Sequence, residues 1–395
     1  MNSLEKYFLL DPNVVFLNHG SFGATPKPVF REYQRWQREL EKQPVEFLGR
    51  RATMLMAEAR MALGKYLGTN ADNVIYTQNV TISLNIVARS LELGTGDEVL
   101  TTNHEYGAMD RTWRFLSKER GFQYINHAIS TPIETEESFV EDFWRGVTPH
   151  TRIIFISHLT SPTAIIFPVK ELIRRAREAG ILTIIDGAHV PGQLPLHLDS
   201  LGADFYGGNL HKWLCAPKGA GFLYARPEVQ RLVKPLVVSW GEQADIPSGS
   251  QFVDDHEWWG TRDLAAFLSV PAAIEFQEKY NWDEVRDACH ALARAAQHRI
   301  CELTGLAPLH PDSDGWFRQM IAAPLPADTD IVSLKKRLYD EHQIEVPLIE
   351  WFPSPTLGQG SGVRVGNKLI RVSVQGYNTQ GDVDTLCHAL SLLLG

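Results

Sequence analysis

Lys212 sits in GGNLHKWLCAPKGAGFLY, residues 207–224, between a histidine and a tryptophan and among small residues. A lysine can snorkel to solvent. An amine beside an imidazole, with glycines that leave room for a ligand ring, is also how a nucleophilic lysine is presented for imine chemistry. Asp186 closes the apolar run ILTII. A carboxylate there either caps the next helical turn or faces a cation or strong donor that offsets its burial. NVT at 79–81 opens a helical stretch, where free N–H groups and the dipole favour a phosphate and Thr81 adds a hydroxyl, unless it is an ordinary N-cap. His104 can offer a flat ring to a planar cofactor or be a satisfied core histidine. Lysine for an imine, carboxylate for a pyridinium nitrogen, helix-borne phosphate cup and stacking ring are together the requirements of one cofactor, pyridoxal 5'-phosphate.

These residues are spaced by elements that can hold them. Short apolar runs (NVIYT, DEVLTT, TRIIFIS, ILTIIDGAH) alternate with helical patterns (VTISLNIVARSL, VKELIRRAREAG) between 70 and 225. That alternation predicts βαβ units on a mostly parallel sheet with helices on both faces. In the unit at 152–186, Leu172, Ile173, Ala176 and Ala179 share one helical face, charged residues fill the other, and Gly180 ends the helix. Ligands in such sheets sit beyond the carboxyl ends of the strands, which directs attention to TQNVT, NHEYG, SHLTSPT and DGAH. Beyond 275 a long helix, short strands and a terminal helix predict a small α+β domain. The expected division is 16–275 for the large domain, with 1–15 and 276–395 forming the small one.

The 395 residues carry a net charge of −9, which argues against phosphate-rich partners such as nucleic acid or anionic membrane and leaves small molecules. The opening MNSLEKYFLLDPNVVF lacks signal-peptide features, and Cys215, Cys289, Cys301 and Cys387 form neither metal-ligand pairs nor a disulfide framework. The expectation is a cytoplasmic protein with core thiols and no metal. The KGAGF run is too incomplete to be a nucleotide phosphate loop.

IIDGAHVPGQLPLHLDSLGADFYGGNLHKWLCAPKGAGFLY resembles the class V aminotransferase superfamily of fold-type I pyridoxal-phosphate enzymes, with its aspartate, a histidine three residues on, and a His–Lys pair before a Gly-rich strand. FLNHGSFGATP and NHEYGA resemble its isopenicillin N epimerase-like branch. The resemblance implies a large domain with a seven-stranded, mostly parallel sheet between helices. It implies that Lys212 forms the imine and moves the Cα proton, Asp186 holds the pyridine nitrogen protonated, His104 stacks on the ring, and His189 and Ser161 lie near its phenolic oxygen. Val80, Thr81, Asn209 and His211 would then hold the phosphate, and Thr261 of WWGTRD would touch the phosphate of a partner in a homodimer. Arg371 of LIRVSVQGYNT would grip the substrate carboxylate. Asn18 and His19 are substrate-side candidates, as is the basic FLGRR at 47–51, although a basic pair on a helical stretch is more often a solvated face.

The segment WFPSPTLGQGSGVRVGNK, residues 351–368, contains no cysteine, which disfavours a desulfurase that uses a loop thiol. The expected reaction is epimerisation of an amino acid through an external aldimine and a carbanion. The alternatives are transamination, C–S cleavage, and a catalytically inactive binding protein, the last of which would be expected to lack Lys212 or Asp186.

Overall fold

The computed structural model describes residues 4–244, 247–351 and 367–394. Most of the cysteine-free segment 351–368 lies outside the described residues. Seven strands form the central sheet in the spatial order Val74–Thr77, Gly221–Ala225, Phe205–Asn209, Leu182–Gly187, Thr151–Ser157, Glu98–Thr102 and Gln123–His127. Only Gly221–Ala225 runs against its neighbours; the remaining pairs are parallel. The central strands are buried along nearly their whole length. Helices cover both faces, which explains why the sequence shows continuous apolar runs there instead of alternation.

The helix Val169–Glu178 shows how the local code works. Val169, Leu172, Ile173 and Ala176 are buried. Full burial of Leu172 and Ile173 is worth about 1.5–3 kcal/mol each relative to exposure. Arg174 meanwhile pairs with Glu171 and Glu178 on the wet side. Ala179 does not join the buried face. It caps the helix, and Gly180 follows with a positive φ of 69°.

A second, three-stranded antiparallel sheet runs in the order Leu348–Trp351, Asn367–Ser373, Met320–Leu325. The helix Trp282–Thr304 packs on it and on the terminal helix Gln380–Leu394. The N-terminal segment joins this sheet region and not the large sheet: Val15–Phe16 pairs in parallel with Ile344–Glu345, and the Leu4 amide donates to the Gly376 carbonyl. The association continues past residue 16, since Asn18 bridges to Ser373. Among the described residues no helix is long and apolar enough to cross a membrane.

Candidate active site

A cavity of about 550 Å³ lies at the carboxyl ends of the parallel strands, and Lys212, Asp186, His189, Asn209, Thr81 and Ser161 all line it. A groove of similar size, about 570 Å³, runs between surface helices near Trp36 and Phe276 and holds none of the candidate residues. The strand-end cavity is therefore the candidate site.

Asp186 is the penultimate residue of its strand, beside Ser157 and two percent exposed. Its Oδ1 accepts from the Ala188 amide at 2.9 Å, while Oδ2 is buried and lacks a partner among the described residues. Burial raises this carboxyl to about 6, partly countered by Lys212. Lys212 Nζ stands 3.2 Å from His189 Nε2. Burial, reinforced by Arg371, lowers the Lys212 amine to about 7, against the pull of Asp186. Such an amine is substantially neutral near physiological pH, as a nucleophile must be.

The helix Val80–Ser90 opens at the other end of the cavity with Asn79 as its cap, the side chain accepting from the Ile82 amide. The Val80 amide does not point free into the cavity as a phosphate ligand. It donates to Asn209 Oδ1 at 2.9 Å, so this helix end and the lysine-bearing segment are tied to each other. That leaves the Asn209 amide nitrogen, the Thr81 hydroxyl and His211 on the cavity wall as polar groups for an anion. His211 Nδ1 is held by the Ala220 carbonyl at 3.0 Å. The glycines also need a different account. A Cβ on Gly207 would meet Val80 at 2.9 Å, and one on Gly208 would meet Phe222 at 2.4 Å. These two make room for protein packing, whereas Gly219 borders the cavity.

Arg371 is buried behind the cavity wall and has no carboxylate partner among the described residues. Its Nη1 donates to the Ser161 carbonyl at 2.7 Å and its Nη2 to Ser21 Oγ at 3.0 Å, while Nε has no partner among the described residues. Burial lowers even this guanidinium, to about 10. Such a cation costs stability until an anion arrives. Replacing Arg371 with leucine is expected to weaken amino-acid binding by about 2–5 kcal/mol while leaving cofactor uptake intact. A spectral titration with substrate reads this, and an unchanged affinity would refute the clamp.

Several expected contacts are not made. His104 is fully buried away from the cavity lining, with Nδ1 2.8 Å from Thr163 Oγ1 and its ring against Phe167 and Trp351. It is the satisfied core histidine, and the aromatic ring that NHEYG sends to the cavity is Tyr106, two residues on. Asn18 and His19 do not line the cavity either. Asn18 donates to Glu345, and His19 is buried beneath the lysine loop, its Nε2 3.0 Å from the Lys212 carbonyl and its Nδ1 3.0 Å from the Tyr377 hydroxyl. From that segment Ser21 and Phe22 reach the cavity instead. Phe47–Arg51 forms a π-helical turn with Phe47 buried and Arg51 near Glu39, away from the site. Thr261 is exposed and does not line its own chain's cavity.

Sequence reasoning missed Ser21, Phe22 and Gln78 as lining residues and Trp213 as a support. Ser21 and Trp213 both lie inside quoted motifs, but what gives them their places is distant in sequence: Arg371 for Ser21, and His189 and Gln277 for Trp213.

Pyridoxal phosphate fits this arrangement: the orphaned Asp186 Oδ2 suits a pyridinium N–H, the lowered Lys212 amine suits an imine, and the Thr81–Asn209–His211 wall suits a phosphate. Residues 15–386 match the family model for class V aminotransferases. The chain is 34% identical to an isopenicillin N epimerase of Amycolatopsis lactamdurans, over 97% of this chain and 96% of the relative. It is 26% identical to a putative L-cysteine desulfhydrase of Oryza sativa subsp. japonica, over 97% and 84%. In fold it is similar to a cysteine desulfurase from Thermococcus onnurineus NA1, with a TM-score of 0.82 at 20% identity, covering 100% of this chain and 98% of that one. The chain therefore belongs to the class V aminotransferase family of pyridoxal-phosphate-dependent enzymes.

Proposed function

We propose that this enzyme epimerises an amino acid at its α-carbon. The observation that carries the reading is the convergence of a buried lysine amine and an orphaned carboxylate oxygen on one cavity whose wall residues Ser161 and Ser21 are held from behind by a buried guanidinium with no counter-ion among the described residues. The similarity to isopenicillin N epimerases, 34% and 33% identical over nearly the full length, supports this chemistry over others of the family. Bound pyridoxal phosphate supplies an electron sink for the pair left when the Cα–H bond breaks. Asp186 keeps the sink's nitrogen protonated, Arg371 with Ser161 and Ser21 orients the substrate carboxylate, and Lys212 Nζ takes the Cα proton. Inversion requires a second donor, and Tyr106 brings a phenol to the cavity wall for that step.

The working unit of this reading is a cytoplasmic homodimer. Thr261 is exposed beside Trp259 and Arg262, whose Trp259 Nε1 and Arg262 Nε and Nη1 are buried with no partner among the described residues. Val238 and Trp240 also expose large apolar surface, as association surfaces do. The four thiols are free, as a reducing compartment requires.

Incubating the holoenzyme with L- and D-amino acids in deuterated water tests the reaction. Deuterium at Cα with loss of chirality is expected for the true substrate. Stoichiometric keto acid would replace the reading with transamination, and pyruvate with sulfide or a thiol would replace it with C–S cleavage.

A further inference from the structure

The imidazole of His189 is clasped between two successive side chains. Lys212 Nζ lies 3.2 Å from Nε2, and Trp213 Nε1 lies 3.2 Å from Nδ1. An indole N–H only donates, so Nδ1 must accept, and a neutral imidazole whose Nδ1 accepts carries its proton on Nε2. We propose that Trp213 is a positioning residue that locks His189 as a permanent N–H donor toward the lysine and the cofactor. This deepens the proposed function and rests on that reading only where the cofactor is concerned.

The surroundings hold the arrangement in place. Trp213 is fully buried, its ring lies 5.0 Å from that of His19, and its carbonyl accepts from Gln277 at 2.8 Å. His189 is tied through its own carbonyl to Gln193, which also accepts from the Gln319 amide. The imidazole cannot respond by taking a second proton. Burial holds it well below the ordinary histidine value, and Lys212, Arg371, His19 and His211 all add to the same effect. The lock also acts on the lysine. An Nε2–H facing an ammonium would set donor against donor, so the contact favours the neutral amine, in the same direction as burial.

Beside a bound cofactor, the locked N–H can donate to the phenolic oxygen and draw off part of its negative charge. Without the lock, Nδ1 can take the proton and leave Nε2 as an acceptor facing that oxygen. The oxygen then keeps its full charge and holds the neighbouring imine proton more tightly.

Two measurements test this. In wild-type protein labelled with ¹⁵N-histidine, cofactor-free, the His189 ring signals, assigned by their loss in His189→Gln, should show a protonated Nε2 and an unprotonated Nδ1. The opposite tautomer or a cationic ring overturns the proposal even if the protein never binds cofactor, and it does so without requiring any variant of Trp213. In the holoenzyme, Trp213→Phe should raise the pH midpoint of the visible absorption change by about one unit, tenfold in proton affinity. The same substitution in a His189→Gln background, where an amide donor has no tautomer to lock, should shift it far less. No shift in the wild-type background, or equal shifts in both, overturns the positioning role. A protein that remains colourless with pyridoxal phosphate refutes the proposed enzyme function, and the ¹⁵N result then decides the lock by itself.

Discussion

Lys212→Ala is expected to take up pyridoxal phosphate without a covalent bond and to lose Cα exchange by about 10²–10⁴-fold or more, the usual contribution of a positioned proton-transfer group. Borohydride should fix the chromophore to the peptide containing Lys212 in the parent and to nothing in the variant. The pH dependence gives a sharper check. The amine is pulled down to about 7 by burial, then by Arg371. Below that pH it is protonated and cannot attack; above it the neutral form predominates. Capture of cofactor by the cofactor-free protein should therefore accelerate as pH rises through about 7 and then level off. A rise centred near 10, where an ordinary lysine titrates, would show that the amine is solvated and that the site is not closed around it. Retained turnover in the alanine variant would remove Lys212 from the mechanism altogether.

Asp186→Asn should separate catalysis from stability. With cofactor bound, the substitution would remove the buried anion proposed to face the protonated ring nitrogen. Breaking such a pair costs about 3–5 kcal/mol, which translates into a loss of roughly 10²–10³-fold or somewhat more in the proton-abstraction rate. Deuterium exchange at Cα measures this, and an unaffected rate would show that the ring nitrogen is charged by some other group. Without cofactor the sign reverses. Burial raises the folded-state carboxyl from 3.8 to about 6. The unfolded chain thus releases its proton first, and stability from this group is lost as pH rises from near 3.8 through about 6. At pH 7 the penalty is fully present and is on the order of 2–3 kcal/mol. Asparagine carries no charge, and its side-chain oxygen can still accept from the Ala188 amide. The cofactor-free asparagine variant should therefore melt higher than the parent at pH 7, with the gap closing toward pH 4. An equal or lower melting temperature at pH 7 would mean that Asp186 is not desolvated in the absence of cofactor.

The large sheet was legible because its signal is local. Runs such as TRIIFIS and ILTII are apolar on both faces since helices cover both, and a helix such as Val169–Glu178 writes its buried stripe in 3.6-residue spacing. That Lys212, Asp186 and Thr81 meet at one cavity was legible for a related reason, since each stands at or just beyond the end of a strand and the sheet delivers strand ends to one place. The assignments that moved are those in which residues a few positions apart compete for the same role. NHEYG offers a histidine and a tyrosine two residues apart, and only the packing of Phe167 and Trp351 around His104 decides that the tyrosine faces the cavity. FLNHGS offers Asn18, His19 and Ser21 in the same way. The choice depends on Glu345 and Tyr377, more than 300 residues away in sequence, and no pattern within the segment records them. The Val80 amide was misread because its true partner, Asn209, was itself expected to face the phosphate.

The brace beneath the lysine loop has a consequence for how the protein is made. Lys212 is held from below by His19, which is held by Tyr377, and Arg371 reaches back to Ser21 near the chain's start. The sheet can form from consecutive βαβ units while the ribosome is still working, but this brace closes only after the segment containing residues 371–377 has emerged. Contacts spanning so much sequence form late. Covalent capture of the cofactor is thus expected to report on near-completion of synthesis: chains arrested after Gly221–Ala225, the last strand of the large sheet in chain order, should contain that sheet and remain colourless.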